Sequence, residues 1–308
     1  MGQVLALAIS AVLLAGFYAS MAYGLGLIYG VLRVVNLAHG GMIMAAAYLS
    51  WVLFTRFSID PYLAIPIVMV VFFFIGVAMY KGLVRFLPRG AAGGVQSLLL
   101  LFGVWLVIRN IAYLLFTGDD QAVRTSYSTA SVPIFGNSYS LNRVLVFVIS
   151  VVAVSVLQLW LSRTYTGKAV RAVTENSDSS TLVGIDVERV YALTFGVGTA
   201  LAGLAGVLAS TLFAFNPSFG SGELLKSFVI IVLGGLGSVV GIGIGALVLS
   251  FAEVFAIYAV PSYLTAAVGF VLLVVVLVVR PSGLFGSKVL RCPRLRRAGG
   301  SAYRRGCR

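Results

Sequence analysis

Charge is scarce in this chain of 308 residues. Asp, Glu, Lys and Arg make up 10% of it, while 60% is hydrophobic. An ordinary soluble domain carries about 25% charged residues. At 10% there is too little polar side chain to cover a globule of this size in water, and the mean hydropathy of +1.05 agrees. There is one histidine, His39, and two cysteines, Cys292 and Cys307, both near the C-terminus. That set supports neither a metal site nor a disulfide framework. Enzyme signatures are also missing. The only Gly-Lys pair, Gly167-Lys168, has Ser162 where a phosphate loop needs its first glycine. The stretch GLGSVVG misses the dinucleotide-binding spacing by one residue. A single histidine without clustered carboxylates gives little support to a nucleophile–base constellation. No cofactor is implied.

What the chain does have is long apolar runs. They fall at about Val4–Val35, Gly41–Phe54, Tyr62–Tyr80, Gln96–Phe116, Val144–Leu161, Val190–Phe215, Leu225–Val260 and Leu264–Val279. Their lengths suit membrane-spanning helices, not the short alternating strands of an outer-membrane barrel. The fold class expected is an all-α integral membrane protein with about eight transmembrane helices. The first run has no basic residues before it and is too long for a signal peptide core, so it reads as a retained span.

The net charge of +13 is unevenly placed. Lys81, Arg85 and Arg89 load one loop, and Arg163, Lys168, Arg171 and Arg189 another. Lys288, Arg291, Arg294, Arg296, Arg297, Arg304, Arg305 and Arg308 load the C-terminal tail. Basic loops mark the cytoplasmic side, and such a tail suits anionic lipid better than nucleic acid. The loop with Asp119 and Asp120, and the turn at Asp60-Pro61, belong outside.

These sides create a parity constraint. The loop Asn216–Glu223 is outside, and the last helix must start outside near Pro261 to end in the cytoplasm. The run Leu225–Val260 therefore begins and ends on one side, so it is re-entrant or crosses twice. Gly234, Gly235 and Gly237 supply its break. The first run, also over-long, contains Gly24, Gly26 and Gly30. Paired, glycine-interrupted segments in two halves point to a transport site. The plainer alternative is close helix packing through small residues, at Gly26–Gly30 and Gly237–Gly241–Gly245.

Polar residues inside apolar runs are costly and mark pathways or partners. They are Arg33, Asn36, His39, Arg109 and Glu253. Glu253 reads as the only acidic residue well inside an apolar segment. Arg33, Asn36 and His39 sit in RVVNLAHGGMIMAAAY, where Gly40 and Gly41 allow a turn between two membrane segments. Asn216, with Pro217, is placed at the outer mouth.

One loop, about 162–189, has structure of its own: TGKAVRAVTENSDSSTLVGIDVERVYALTF. Asn176, Ser177 and Asp178 offer N-caps for a short helix, Leu182 and Val183 an apolar face, and Gly184 a helix-ending residue. Asp186 caps the next span, with Glu188 in its first turn. An ordinary ordered connection is the plain reading. The spacing Asp178-Ser179-Ser180, three residues, then Gly184 resembles the cytoplasmic coupling segment of ABC-importer permeases.

Three further stretches sharpen that resemblance. NLAHGGMIMAAAY, FNPSFG followed by LLKSF, VLGGLGSVVG and GIGALVLSFAE, and finally VRPSGLFG are similar to the LivH-type permeases for branched-chain amino acids. The likeness covers the chain to about Gly286. It implies a permease domain over 1–286, a basic cytoplasmic tail over 287–308, and placement in the inner membrane of a prokaryote. It further implies a second homologous permease, two ABC ATPase subunits that hydrolyse ATP, and an extracytoplasmic substrate-binding protein. Glu175, Asp178, Ser179, Ser180, Leu182, Gly184 and Asp186 would form the coupling element. Two departures stand out: Gly41 replaces the family's usual glutamate, and YKGLVRFLPRG lacks another. Other cargoes, such as urea, amides, sugars or nucleosides, remain open, as does an ion-coupled secondary transporter.

Overall fold

A computed structural model describes residues 2–87, 91–125, 127–134, 136–235, 238–259, 261–280 and 283–284. Gly237 and the tail from 287 lie outside the described residues. The chain is an all-α membrane protein. Its helices are α1 (Gly2–Leu32), α2 (Ala38–Phe57), α3 (Pro61–Gly82), α4 (Ala91–Phe116), α5 (Leu141–Arg163), α6 (Tyr165–Glu175), α7 (Ser177–Leu182), α8 (Val187–Leu212), α9 (Phe219–Gly234), α10 (Val239–Ala259) and α11 (Ser262–Val279). A small antiparallel hairpin, β1 (Ser131–Ile134) with β2 (Asn137–Ser140), precedes α5. Helices dominate because lipid cannot satisfy an open backbone N–H or C=O.

Among the described residues, α1, α2, α3, α4, α5, α8 and α10 are long and apolar enough to cross a membrane. Helix α11 adds a shorter apolar stretch, Ala267–Val279. Helix α9 has 16 residues, about 24 Å at 1.5 Å per residue, which is less than a hydrocarbon core of about 30 Å.

Helix α8 is the centre. In its apolar window 89% of the residues are buried, against 11% for α4 at the edge. Helices α1, α2 and α3 pack along it. Small residues make this possible: a Cβ at Gly203 would touch the Phe72 side chain at 3.1 Å, and one at Gly76 would meet Thr199 Oγ1 at 2.6 Å.

The two ends of the bundle differ. At one end lie the β-hairpin and the loop before it. There Gln121 bridges Phe215, the Tyr139 hydroxyl donates to Ala6 O at 3.4 Å, and Asn142 Nδ2 donates to Thr211 O at 3.3 Å. Asp60 caps α3 by accepting from Tyr62 N at 2.9 Å and also accepts from the Tyr127 hydroxyl at 2.6 Å. Burial first, then that bond, pushes the Tyr127 hydroxyl above the ordinary tyrosine range. The stability this confers is complete below pH ~10 and is lost as pH rises further. Ultraviolet titration of the wild type minus Tyr127→Phe should show no phenolate from Tyr127 near pH 10; a normal tyrosine titration would refute it. The opposite end carries α6 and α7.

As far as it is described, from Leu225 to Ala259, the run Leu225–Val260 does begin and end at the hairpin end. Helix α9 runs inward, the chain reverses after Gly234, and α10 returns. Gly235 caps α9 at φ +95°, a left-handed conformation that glycine adopts without cost. Gly234 and Gly241 meet backbone to backbone, with the Ile230 carbonyl over Gly245. Leu284 N then donates to Leu233 O at 2.8 Å, fixing the end of the α11 strand of the chain beside the reversal.

The first half differs from expectation in two details. Gly24, Gly26 and Gly30 do not break α1, which runs through them. They serve close packing: Gly24 lies on the Gly198 carbonyl and Leu201, and Gly26 on Ile242. Nor do Gly40 and Gly41 make the turn, since both are helical in α2. The turn is made by Arg33 at φ +57°, with Arg33 N donating to Tyr29 O at 2.9 Å. Its exposed side chain leaves room for a conformation that costs an L-residue about 1–2 kcal/mol.

Candidate functional site

The non-helical stretch between α1 and α2 brings its polar groups inward. Asn36 and His39 are buried, at 1% and 0% exposure. His39 Nε2 donates to Met21 O at 3.0 Å, so the histidine reaches back to the middle of α1. Asn36 Oδ1 and His39 Nδ1 have no partner. Gly40 lies directly on Gly220 of α9; a Cβ at Gly40 would also meet Leu224 Cβ at 2.7 Å. Gly41 faces Trp105 and Ile108 of α4.

In the second half, Asn216 Nδ2 donates to Asp120 Oδ1 and its Oδ1 accepts from Ser218 N, both at 2.9 Å. It is a half-buried turn residue at the hairpin end. Arg109 ties α4 to the start of α9, donating to Ser218 Oγ at 3.2 Å with its guanidinium over the Trp105 and Tyr113 rings. Gly234 and Gly235 form the reversal already described.

Glu253 has found its partners, and they were not legible in advance. The Tyr18 hydroxyl donates to Glu253 Oε2. Lys226 Nζ donates to the Tyr18 hydroxyl at 3.1 Å and to Glu223 Oε1 at 3.3 Å, and lies 4.0 Å from Glu253 Oε2. Glu223 is only 5% exposed, so Glu253 is not the only acidic residue inside an apolar segment. The reason is local. The turn after α8 is short, and α9 starts at Phe219, which draws Glu223 into the helix and the bundle. The spacing Glu223-x-x-Lys226, a helical ion-pair spacing, was the available signal.

At the other end, Asn176, Gly184 and Asp186 take the capping places expected of them, Ser177 and Asp178 fall inside α7, and Thr164 is a cap not expected from the sequence. Thr164 Oγ1 accepts from Gly167 N to start α6. Asn176 Oδ1 accepts from Ser179 N to start α7. Asp186 Oδ1 accepts from Arg189 N to start α8. Gly184 stands at φ +83°, and Ile185 N returns to Ser180 O at 3.1 Å. Helix α6 is amphipathic; its Val170 and Val173 are buried against the bundle. Glu175, Asp178 and Ser179 are exposed, while Ser180 is buried. Leu182 and Val183 are 88% and 76% exposed. Among the described residues, nothing covers these two large apolar side chains on the capped tip. Glu188 accepts from the Tyr80 hydroxyl at 2.9 Å and lies 3.6 Å from Arg85, tying the start of α8 to α3.

Among the described residues no cluster of three His, Cys, Asp or Glu side chains could hold a metal.

The chain matches the family model described as the branched-chain amino acid transport system / permease component over residues 7–279. It is 29% identical over 282 residues to the high-affinity branched-chain amino acid transport system permease protein BraD of Pseudomonas aeruginosa, covering 87% of this chain and 91% of BraD. It is 28% identical over 290 residues to LivH of Escherichia coli, covering 89% of this chain and 93% of LivH. A shorter likeness, 36% over 137 residues, covers 41% of this chain and 36% of the xylose transport system permease protein XylH of Haemophilus influenzae. No solved structure matches. A match that runs from α1 to α11 makes this protein a member of the family of permease components of branched-chain amino acid transport systems.

Proposed function

We propose that this chain is the membrane-spanning permease subunit of an ATP-driven importer whose cargo is branched-chain or similar apolar amino acids. The observation that carries the reading is the capped α6–α7 handle with its bare Leu182–Val183 tip. The chain contains no nucleotide-binding motif, so ATP hydrolysis falls to partner subunits, one of which receives this tip in a groove. Two ABC ATPase subunits, a second homologous permease and an extracytoplasmic binding protein complete the machine. The permease domain spans 1–286, the coupling loop about 162–189, and the basic tail 287–308 lies against anionic lipid.

The basic residues around α6, α7 and the 3-10 turn Val84–Phe86 support a cytoplasmic handle end. The hairpin end then faces the binding protein, and Asn216 lies near the entrance. Since Ala6 sits at the hairpin end, α1 enters from outside. In the same frame the C-terminus is cytoplasmic, in the inner membrane of a prokaryote. Asn36, His39 and Glu253 are candidates for the translocation path, and Gly234, Gly235 and Gly237 for the helix break that shapes it.

Gly184 is where this reading is most exposed to test. Nothing lies within 4 Å of a Cβ there, so Gly184→Val costs only the backbone, at least ~1–2 kcal/mol in a left-handed conformation. The bundle should fold normally while cargo-stimulated ATP hydrolysis by the reconstituted complex drops at least tenfold. Normal ATPase assembly and transport in Gly184→Val would refute the coupling role. Competition across leucine, isoleucine, valine, urea and xylose tests the cargo; uptake that none of the three amino acids stimulates overturns that part.

A further inference from the structure

A cavity of about 370 Å³ opens beside the Tyr18–Lys226–Glu253 cluster, between α1, the start of α5, the end of α8, α9 and α10. Its size is in the roughly 300–1,000 Å³ range of small-molecule sites. Two kinds of surface line it. Leu13, Leu14, Phe213, Val254 and Ile257 give an apolar wall, and Arg143, Lys226 and Glu253 give charges of both signs.

The charges are incompletely matched. Lys226 is engaged by Tyr18 and lies against both carboxylates. Two carboxylates thus share one cation, and Glu223 Oε2 is buried with no partner. Arg143 is exposed at the rim, and among the described residues no carboxylate pairs with it. A negative cluster at one point and a free guanidinium at another, with an apolar wall between elements, is the complement of a zwitterion with an apolar side chain.

We infer that this cavity is a transient binding subsite for a free amino acid, with Glu253, which shares Lys226 with the buried Glu223 behind it, receiving its α-ammonium and Arg143 its α-carboxylate. The guanidinium can hold a carboxylate through two parallel N–H bonds. Glu253 gains a cation of its own, which leaves Lys226 to Glu223, and a charged group inside a membrane protein is stabilised only when paired. Lys226 and Tyr18 are positioning residues that keep the carboxylates in place. A site at the hairpin end is the first one that cargo released from outside would meet. The inference rests on the proposed amino-acid cargo and adds where in this chain its two charges are read.

The test uses the full chain in nanodiscs and ligand-observed saturation-transfer NMR, which reads weak binding. The probes are leucine, isoamylamine (leucine without its carboxylate) and isocaproate (leucine without its amine). Leucine should bind at least tenfold more tightly than either analogue. Arg143→Gln should weaken leucine and isocaproate at least fivefold and leave isoamylamine unchanged. Glu253→Gln should weaken leucine and isoamylamine and leave isocaproate unchanged. Equal binding of all three probes to the wild type overturns the subsite without any variant, and so does a uniform loss for all three in Arg143→Gln. Uptake by the assembled importer separates the two levels. Wild-type leucine KM in both variants overturns the subsite alone, while a wild-type complex that takes up xylose and no leucine overturns the cargo and the subsite with it.

Discussion

Lys226→Met should be the most damaging single change in the α9–α10 region. The side chain sits between two carboxylates with 7% and 11% side-chain exposure. Removing Lys226, the only cation that pairs with them among the described residues, leaves both without compensation inside the bundle. Breaking a buried ion pair from one side costs about 3–5 kcal/mol. Lys226 itself is 30% exposed, so the lower end applies. At roughly 2–4 °C per kcal/mol for a chain of this size, the melting temperature in detergent should fall by roughly 6–12 °C. The charge explanation is tested by a second step. Adding Glu223→Gln and Glu253→Gln to Lys226→Met removes the stranded charges, and at least half of the lost stability should return. If the triple variant is no better than the single one, Lys226 matters for its methylene packing on the Tyr18 ring and not for its charge. If the single variant melts within a degree of the wild type, the cluster is not a structural tie between α1, α9 and α10.

Gly40→Val comes second, for a steric reason. Gly40 and Gly220 bring the backbones of α2 and α9 into direct contact, each carbonyl lying where the other's side chain would be. Neither carbonyl is the far end of a flexible group, so neither can swing away. Overpacking in a well-filled interior costs about 1–3 kcal/mol, and a contact on backbone belongs at or above the top of that range. Valine should therefore separate α2 from α9, with most of the protein lost to aggregate in size-exclusion chromatography. Gly103→Ala on the edge helix α4 is the control. A Cβ there meets nothing within 4 Å, and alanine is the better helix former by about 1 kcal/mol, so Gly103→Ala should elute and melt like the wild type or slightly above it. Equal behaviour of the two variants would count against the glycine contact as a determinant of the fold.

The features legible in the sequence were those decided by short-range physics. Asn176, Gly184 and Asp186 act on backbone groups within a few residues, so their roles follow from spacing and residue type. The sidedness of Leu225–Val260 followed from where the lysines and arginines are. The family, too, is carried by short local stretches. What could not be read depends on contacts between residues far apart in the chain. Tyr18 and Glu253 are separated by most of the sequence, and nothing local to either names the other. Gly40 was given a turn because glycine usually supplies one; its use against Gly220 appears only once α2 and α9 are packed. The turn itself fell to Arg33, a residue type that rarely adopts a left-handed φ, and no local pattern announces that. Glu223 was placed in a loop because nothing in the sequence marks α9 as starting already at Phe219.

The central helix has a mechanical consequence. Helix α8 starts at Val187, three residues beyond Gly184, and runs 26 residues, about 39 Å, with α1, α2 and α3 gripping it along its length. No proline interrupts it. On the proposed coupling role, a force applied at the Leu182–Val183 tip passes through the turn at Gly184, which the Ile185 N–Ser180 O bond holds, into a stiff rod. A push delivered there by a partner would be answered by pivoting three helices together, in the manner of a crank turning its shaft, and the stroke at the hairpin end would be set by the length of the rod and not by bending along it.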